Sequence, residues 1–263
     1  MSRILTSLHG RLLGLNSDGE LICPNGFVSG DHGSQIHAPS PRKVVWFDDF
    51  LGDAVDARYS VVEGTDSATS ADSILAGGIG GVLRLTTGDA GTGFAADLIQ
   101  VNQALQWQAS NGGLAIEARI KISQITEAYV FFGFTDVVTL EAPVISASSA
   151  DTITTNASDA VGFMFDTNMS TDDIWLVGVA ANTDATLQDS GYAFEADTYV
   201  TLRVEVSSAG VATFYRNGVQ VGTAMSGAVT AATDLTPTLA VSKTATATSM
   251  TLDCDYLHVS MNR

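Results

Sequence analysis

The stretch TYVTLRVEVSSAGVATFYRNGVQV (residues 198–221) decides the fold class of this chain. From Val200 to Val206 aliphatic and polar residues alternate, which is the period-2 pattern of a strand with one buried face. Ser208-Ala209-Gly210 interrupts the pattern, and a second strand-like run returns through Asn217-Gly218. Asn-Gly between two such runs predicts a hairpin, because a type I′ turn needs positive φ at both central residues. The stretch therefore predicts an antiparallel β protein.

Strand-like runs recur along the rest of the chain, and no 3.6-residue period persists for three turns. In LAIEARIKI (residues 114–122) the charged residues Glu117, Arg119 and Lys121 alternate with apolar ones. The segment 145–159, rich in Ser, Thr, Ala and Asp, is predicted to be a connection. Strands are predicted at residues 82–86, 94–101, 114–122, 129–134, 161–165, 174–180, 199–206, 211–216, 238–242 and 250–259. Ten strands without helices predict an all-β, antiparallel two-sheet sandwich or jelly roll.

The N-terminal 42 residues differ in composition from the rest of the chain. They hold six glycines and three of the five prolines and show no sustained period. Turn dipeptides at Asp18-Gly19 and Asn25-Gly26 predict a small hairpin from residues 11–15 and 20–23, which by itself is marginal in water. From Lys43 the sequence becomes KVVWFDDFLG, a strand opening with aromatic anchors. We therefore predict an extended N-terminal arm, residues 1–42, and one sandwich domain, residues 43–263.

The net charge of the chain limits which classes of partner it is expected to bind. The 263 residues carry a formal charge of −17. Residues 44–263 alone hold eight basic and 26 acidic side chains, a charge of −18. A body this acidic repels nucleic acid and anionic membrane, so neither is expected as a partner. Mean hydropathy is +0.20, yet no apolar run approaches the roughly 18 residues that span a bilayer.

The N-terminal sequence and the cysteines indicate the cellular compartment in which the chain is made. MSRILTSLHGRLLGL has no continuous apolar core, so it does not resemble a secretory signal, and we expect synthesis in the cytoplasm. Cys23 and Cys254 are far apart in sequence; two buried free thiols are favoured over a disulfide between them. The histidines of the arm, His9, His32 and His37, lack the spacing of a metal site, and no cofactor or metal is predicted.

Few carboxylates in this chain have the spacing that hydrolysis would need. Three carboxylates spaced as E-x-D-x-x-E or E-x-D-x-E on one strand could share a face and act as an acid/base pair and a helper in glycoside hydrolysis. The nearest match is Glu195-Ala-Asp197, where Val200 stands in the place of the third carboxylate. No Ser-His-Asp or Cys-His arrangement is visible, and His258 is the one histidine of residues 43–263. From these residues we expect that the chain is not an enzyme.

Three pairs of aspartates have the chemistry of calcium ligands, since hard oxygen ligands suit that ion. Asp48-Asp49 and Asp172-Asp173 are adjacent, and adjacent residues on a strand point to opposite faces. Asp253 and Asp255 share a face. Turn caps and exposed strand faces explain these aspartates better than a metal site does.

Two tryptophans have aromatic rings on which a sugar could stack. Trp175 lies inside the apolar run IWLVGVA, which favours a place in the core. Trp107, in ALQWQASNGG beside polar loop residues, is the better candidate for a glycan contact.

The order of these elements resembles the concanavalin A-like (laminin-G-like) jelly roll. The resemblance rests on Phe47-Asp48-Asp49-Phe50, the strand 114–122, the run 199–221 with its two turns, and the closing LDCDYLHV, residues 252–259. It covers about residues 43–263. Lectins, glycosidases and viral structural modules share this fold, so it implies the architecture rather than one function.

The whole chain further resembles a family of tailed-bacteriophage virion proteins. The matching text is SLHGRLLGLNSDGELICPNGFVSG (7–30), ILAGGIGGVLRLTTGDAGTG (74–93), TTNASDAVGFMFDTNMSTDDIWLVGVA (154–180) and MTLDCDYLHVSMNR (250–263). The resemblance implies a structural protein of the virion, a capsid decoration (cement) protein on the capsid surface. The alternative is a tail or head fibre module that binds host glycan.

The decoration hypothesis assigns the arm to the shell of the major capsid protein. It further implies a homo-oligomer, with a trimer favoured at threefold lattice positions. The apolar residues of the arm that would bind the capsid are Leu5, Leu8, Leu12, Leu13, Leu15, Leu21, Ile22, Phe27 and Val28.

Overall fold

The computed structural model describes residues 4–8, 11–15, 21–22, 43–63, 71–75, 80–88, 96–101, 105–139, 142–149, 151–244 and 249–262. The chain divides into two compact units, Met1–Val44 and Val45–Asn262. Within the described residues the regular structure is β-strand, apart from one 3-10 turn at Ala109–Asn111.

The strands are numbered in chain order. They are β1 (Ile4–Leu8), β2 (Arg11–Leu15), β3 (Leu21–Ile22), β4 (Lys43–Asp48), β5 (Tyr59–Glu63), β6 (Ala71–Ile74), β7 (Leu83–Thr86), β8 (Ala96–Val101), β9 (Trp107–Gln108), β10 (Leu114–Ile122), β11 (Ala128–Thr135), β12 (Ile145–Ser149), β13 (Thr152–Thr155), β14 (Ala160–Asp166), β15 (Asp173–Ala180), β16 (Thr183–Asp184), β17 (Gln188–Ala193), β18 (Val200–Val206), β19 (Ala212–Arg216), β20 (Val219–Met225), β21 (Asp234–Lys243) and β22 (Thr251–Asn262).

The first unit contains a three-stranded antiparallel sheet of order β1-β2-β3. Ile4 pairs with Gly14, and Leu15 pairs with Leu21. The hairpin predicted between residues 11–15 and 20–23 is confirmed as β2 and β3, and β1 adds a strand that the sequence pattern did not indicate.

Two sheets form the body of the second unit. The eight-stranded sheet has the order β20-β19-β18-β10-β22-β7-β6, with β4 also paired to β22. The nine-stranded sheet has the order β16-β15-β14-β11-β21-β8-β5, with β17 on β15 and β9 on β21. Neighbouring strands such as β10 and β22, or β11 and β21, are antiparallel although far apart in sequence. The predicted all-β, two-sheet sandwich is confirmed.

The turn that decided the fold class has the predicted geometry. Arg216 pairs with Val219 across the turn, and the two central residues have φ values of 49° at Asn217 and 77° at Gly218. The backbone N–H of Thr201 donates to Oδ1 of Asn217 at 2.9 Å, which ties the turn to the neighbouring strand β18. Positive φ at both positions confirms the type I′ hairpin.

The core between the two sheets follows from the alternation. The apolar residues of β18 and β10, such as Val204 and Ile116, are fully buried. Phe163 of β14 and Phe214 of β19 meet edge to face at 5.4 Å, joining one sheet to the other.

The nine-stranded sheet is buried on its second face as well. There Phe131, Met164 and Trp175 pack with Ile145 of the hairpin β12–β13 in a second apolar cluster. Asp166, 1% exposed, accepts a hydrogen bond from the backbone N–H of Ala147 at 2.8 Å, and burial raises the pKa of its carboxyl. Segment 145–159, predicted as a connection, therefore contains two strands that cover this sheet.

Candidate functional site on the eight-stranded sheet

The outward face of the eight-stranded sheet carries a group of eight charged side chains. Among the residues that the structure describes, these eight form five ion pairs with one another. The alternation places them there, since their neighbours along each strand point into the core. The hairpin β12–β13 leaves this sheet open, and all but one of the eight side chains are 24–41% exposed. We call this surface the paired-charge face, and its members are Arg84, Glu117, Arg119, Lys121, Arg203, Glu205, Asp253 and Asp255.

Arg203 holds the centre of the paired-charge face. Its Nε donates to Oε1 of Glu205 at 2.8 Å, and its Nη1 donates to Oε2 of Glu117 at 3.3 Å. The hydroxyl of Tyr256 donates to the other oxygen of Glu117 at 2.8 Å, and that of Tyr215 to Glu205 at 3.4 Å. Burial opposes the charge of Arg203, but Glu205 and Glu117 together raise its pKa. The two glutamates are therefore held side by side by one guanidinium.

Asp253 lies at the end of the face where β7 meets β22. The Nε and Nη2 atoms of Arg84 donate to its two oxygens at 2.6 and 2.8 Å, and Nζ of Lys121 lies 3.3 Å from Oδ2. The Asp253 side chain is 2% exposed, and its hydrogen bond raises the pKa of Arg84. Two cations compensate one buried carboxylate, which is the condition under which such a charge is tolerated.

Between these groups lies the pair of Arg119 and Asp255, with Nη1 and Oδ2 2.7 Å apart. The guanidinium of Arg119 stacks on the ring of Tyr199 at 4.1 Å, a cation–π contact. Asp255 falls at a register shift of β22, between Cys254 and Tyr256. The extra residue at this bulge brings a second carboxylate within reach of the cations on β10.

An exposed apolar rim borders the face at β4. The Phe47 ring is 61% exposed and stacks on Tyr256 with centroids 6.2 Å apart and an interplanar angle of 30°. Val45, two residues earlier on the same side of β4, is 38% exposed. Trp46 points the other way, and its Nε1 donates to the hydroxyl of Tyr59 at 2.9 Å. Val45 and Phe47 are named the β4 rim.

The tryptophans lie apart from this face. Trp175 is 6% exposed in the second apolar cluster, as predicted. Trp107, the candidate glycan contact, is 7% exposed in β9, where it pairs with Leu235 of β21. A ring buried in this way offers no face to a sugar, which weighs against the predicted contact.

Local structure accounts for the two carboxylates considered for catalysis and for several of the aspartates considered as calcium ligands. Glu195 and Asp197 are exposed in the turn before β18, where Asp197 has φ of 56°, so they do not line one face of a strand. Oδ1 of Asp48 accepts the N–H of Phe50 at 2.7 Å, a turn cap as interpreted. Asp253 and Asp255 both bind cations of the paired-charge face.

Two sets of predicted residues fall partly or wholly outside the described part of the chain. Cys254 is a buried free thiol, and burial raises its pKa, whereas Cys23 lies outside the described residues. Phe27 and Val28 also lie outside them. The backbone positions of the other arm residues are in the strands β1, β2 and β3, and these residues are Leu5, Leu8, Leu12, Leu13, Leu15, Leu21 and Ile22.

The described residues contain neither a metal-binding cluster nor a membrane-spanning helix. No cluster of three or more His, Cys, Asp or Glu side chains among them is arranged to hold a metal ion. No helix in this part of the chain is both long and apolar enough to cross a membrane.

No protein-family model and no curated protein matches this chain. Solved structures do match it. A family 16 glycoside hydrolase of Bacteroides ovatus has a TM-score of 0.57 and 12% identity, covering 81% of this chain and 99% of that one. The carbohydrate recognition domain of Emp47p has a TM-score of 0.55 and 10% identity, covering 83% of this chain and 96% of that one. A Shewanella oneidensis protein of unknown function has a TM-score of 0.55 and 14% identity, covering 85% of this chain and 88% of that one. The sandwich therefore has the concanavalin A-like jelly-roll fold that the sequence predicts.

These structures correct one expectation. The sequence led us to expect that the chain is not an enzyme, because the carboxylate triplet ending at Val200 is incomplete. Glycoside hydrolases of family 16 share the fold across 81% of this chain, at 12% identity. The architecture is one in which catalysis occurs, so the exclusion of enzymes is wrong.

Proposed function

We propose that this chain is a structural protein of a bacteriophage virion, a capsid decoration protein that binds the outer face of the shell of the major capsid protein. The observation that supports this most is the two-part organisation of the chain. The chain divides into a small N-terminal unit, Met1–Val44, and a sandwich with its own core. The resemblance of residues 7–30 and 250–263 to virion proteins supports the same assignment.

The N-terminal unit is suited to binding because a unit of residues 1–44 can bury little surface by itself, and domains of about 60 residues are already only marginally stable. Its described residues before Lys43 form one sheet of three short strands, the smallest kind of sheet that can be stable by itself. Its strands are nevertheless rich in leucine, as in RLLGL of β2. Burying these leucines on a shell subunit would contribute about 1.5–3 kcal/mol for each fully buried side chain.

The sandwich is the part presented to solvent in this proposal. Its charge of −18 over residues 44–263 keeps it soluble and disfavours attachment to nucleic acid. On a shell, many copies of one weak contact act together, because neighbouring attachment points raise the effective concentration of each arm. Decoration would in this way hold adjacent capsomers together and stabilise the head.

Apolar rather than ionic binding of the arm is the testable core of this proposal. The arm, residues 1–42, has almost no net charge, so we expect Leu12→Ser with Leu13→Ser to weaken binding to undecorated shells strongly. The matched control, Arg3→Ala with Arg11→Ala, should bind nearly as wild type. Titration onto purified shells at several salt concentrations measures both. The reverse order, with affinity falling steeply as salt rises, would contradict the proposal.

A further inference from the structure

We propose that the paired-charge face, together with the β4 rim, is the surface on which a second copy of this chain docks. This goes beyond the proposed function and does not rest on it, since the surface belongs to the sandwich and the claim concerns the protein in solution. Three features carry it: the distribution of charge, the saturation of the ion pairs, and the exposed aromatic at the edge.

The paired-charge face carries equal numbers of positive and negative side chains, whereas residues 44–263 as a whole are strongly acidic. It holds four of the eight basic side chains of residues 44–263 and four of their 26 acidic ones. The rest of the body therefore carries four basic and 22 acidic side chains. Two copies that met elsewhere would bring like charges together, whereas at this face the pattern of one copy can complement that of the other.

The charged groups of the face are already paired with one another, so a docking partner would not leave any of them as an unpaired buried charge. Glu117 has a donor on each oxygen, and the two oxygens of Asp253 are held by Arg84 and Lys121. Burying a charge without a partner costs far more than burying one that keeps its hydrogen-bonded partner. A second copy can cover these pairs intact.

The same saturation disfavours a glycan as the occupant. Sugar hydroxyls are recognised by free donors and acceptors, and here the carboxylate oxygens of Glu117 and Asp253 already have donors. A sugar hydroxyl would have to share these oxygens with the groups already bound to them, Arg203, Tyr256 and Arg84. A protein surface of complementary pattern requires no such sharing.

The β4 rim supplies the apolar part of the contact. Phe47 is 61% exposed and is held in place by stacking on Tyr256, so its ring is an ordered, exposed aromatic. Exposed aromatic side chains are enriched in protein interfaces and among the residues that contribute most to binding. Val45 extends the rim along the same side of β4.

The test compares two exposed apolar residues at opposite ends of one sheet. Phe47→Ser removes the anchor, and Val219→Ser, at a residue 66% exposed on β20, is the matched control. In sedimentation of the full-length chain over a concentration series, wild type and the Val219 variant should self-associate alike. The Phe47 variant should associate about tenfold more weakly. Monomers at every concentration, or equal behaviour of the two variants, would overturn the proposal.

A charge swap tests the ionic part independently. Arg119→Asp or Asp255→Arg alone unbalances the face and should weaken self-association, whereas the double variant restores both the ion pair and the balance and should recover it. Thermal unfolding of each variant checks that the sandwich is intact. Failure of the double variant to recover, with an intact fold, would count against the proposal. Monomeric wild type that binds a glycan array through Phe47 would assign the face to sugar instead.

Discussion

A chain beginning at residue 43 is expected to fold into the sandwich and to be absent from assembled particles. The strands of both large sheets lie at or after Lys43, so their pairing does not need the removed residues. The truncated protein should unfold cooperatively, and its far-ultraviolet circular dichroism should remain that of a β protein. Loss of the arm removes the apolar segment that we assign to the shell, so incorporation should fall to background.

The comparison needs both proteins in one experiment. Full-length and truncated chains, supplied together during assembly, compete for the same shells, and their ratio in purified particles is read by mass spectrometry. Strong depletion of the truncated chain is the expected result. Incorporation of both chains in the ratio supplied would show that the sandwich itself binds the particle, and the arm would lose its assigned role.

Replacing Gly210 with Ala should destabilise the sandwich much more than the same change at Gly218. Both residues have nearly the same φ, 75° and 77°, so both substitutions impose left-handed strain of about 1–2 kcal/mol. A Cβ at Gly210 would lie 2.2 Å from the carbonyl oxygen of Val229, whereas a Cβ at Gly218 meets nothing within 4 Å. Displacing a packed backbone should add about 1–3 kcal/mol at Gly210.

Urea unfolding of the two variants measures this difference directly. The loss of unfolding free energy in the Gly218 variant measures the cost of placing alanine at positive φ. The additional loss in the Gly210 variant measures the cost of the close contact with Val229. The contact joins the turn between β18 and β19 to the segment after β20, so it fixes the hairpin that decides the fold. Equal free energies of unfolding for the two variants would show that the turn yields without cost.

The strands of the sandwich were predictable because alternation is a local property. The run 114–122 was predicted with the bounds that β10 has, and the Asn217-Gly218 turn with its φ signs. The hairpin β12–β13 was missed because no Asn-Gly or Asp-Gly dipeptide marks its turn. Asp151 itself adopts positive φ there, 60°, which an aspartate tolerates.

The paired-charge face was only half predictable. Alternation in β10 shows that Glu117, Arg119 and Lys121 share a side, but their partners lie on β18 and β22, more than 80 residues away in the cases of Arg203 and Asp253. Register between such distant strands depends on the whole sheet, and the bulge that admits Asp255 has no sequence mark. The burial of Trp107 has no local sequence signal for a similar reason, since its polar neighbours conceal its pairing with β21.

The stoichiometry and position of this protein in purified particles test the central claim most directly. Quantitative mass spectrometry gives its ratio to the shell subunit, and imaging of the same particles locates the sandwich. A decoration protein should occur at a simple fixed ratio to the shell subunit, as repeated symmetric contacts require, with density for the sandwich on the outer capsid surface. Density confined to the tail, or absence of the protein from particles, would contradict the account.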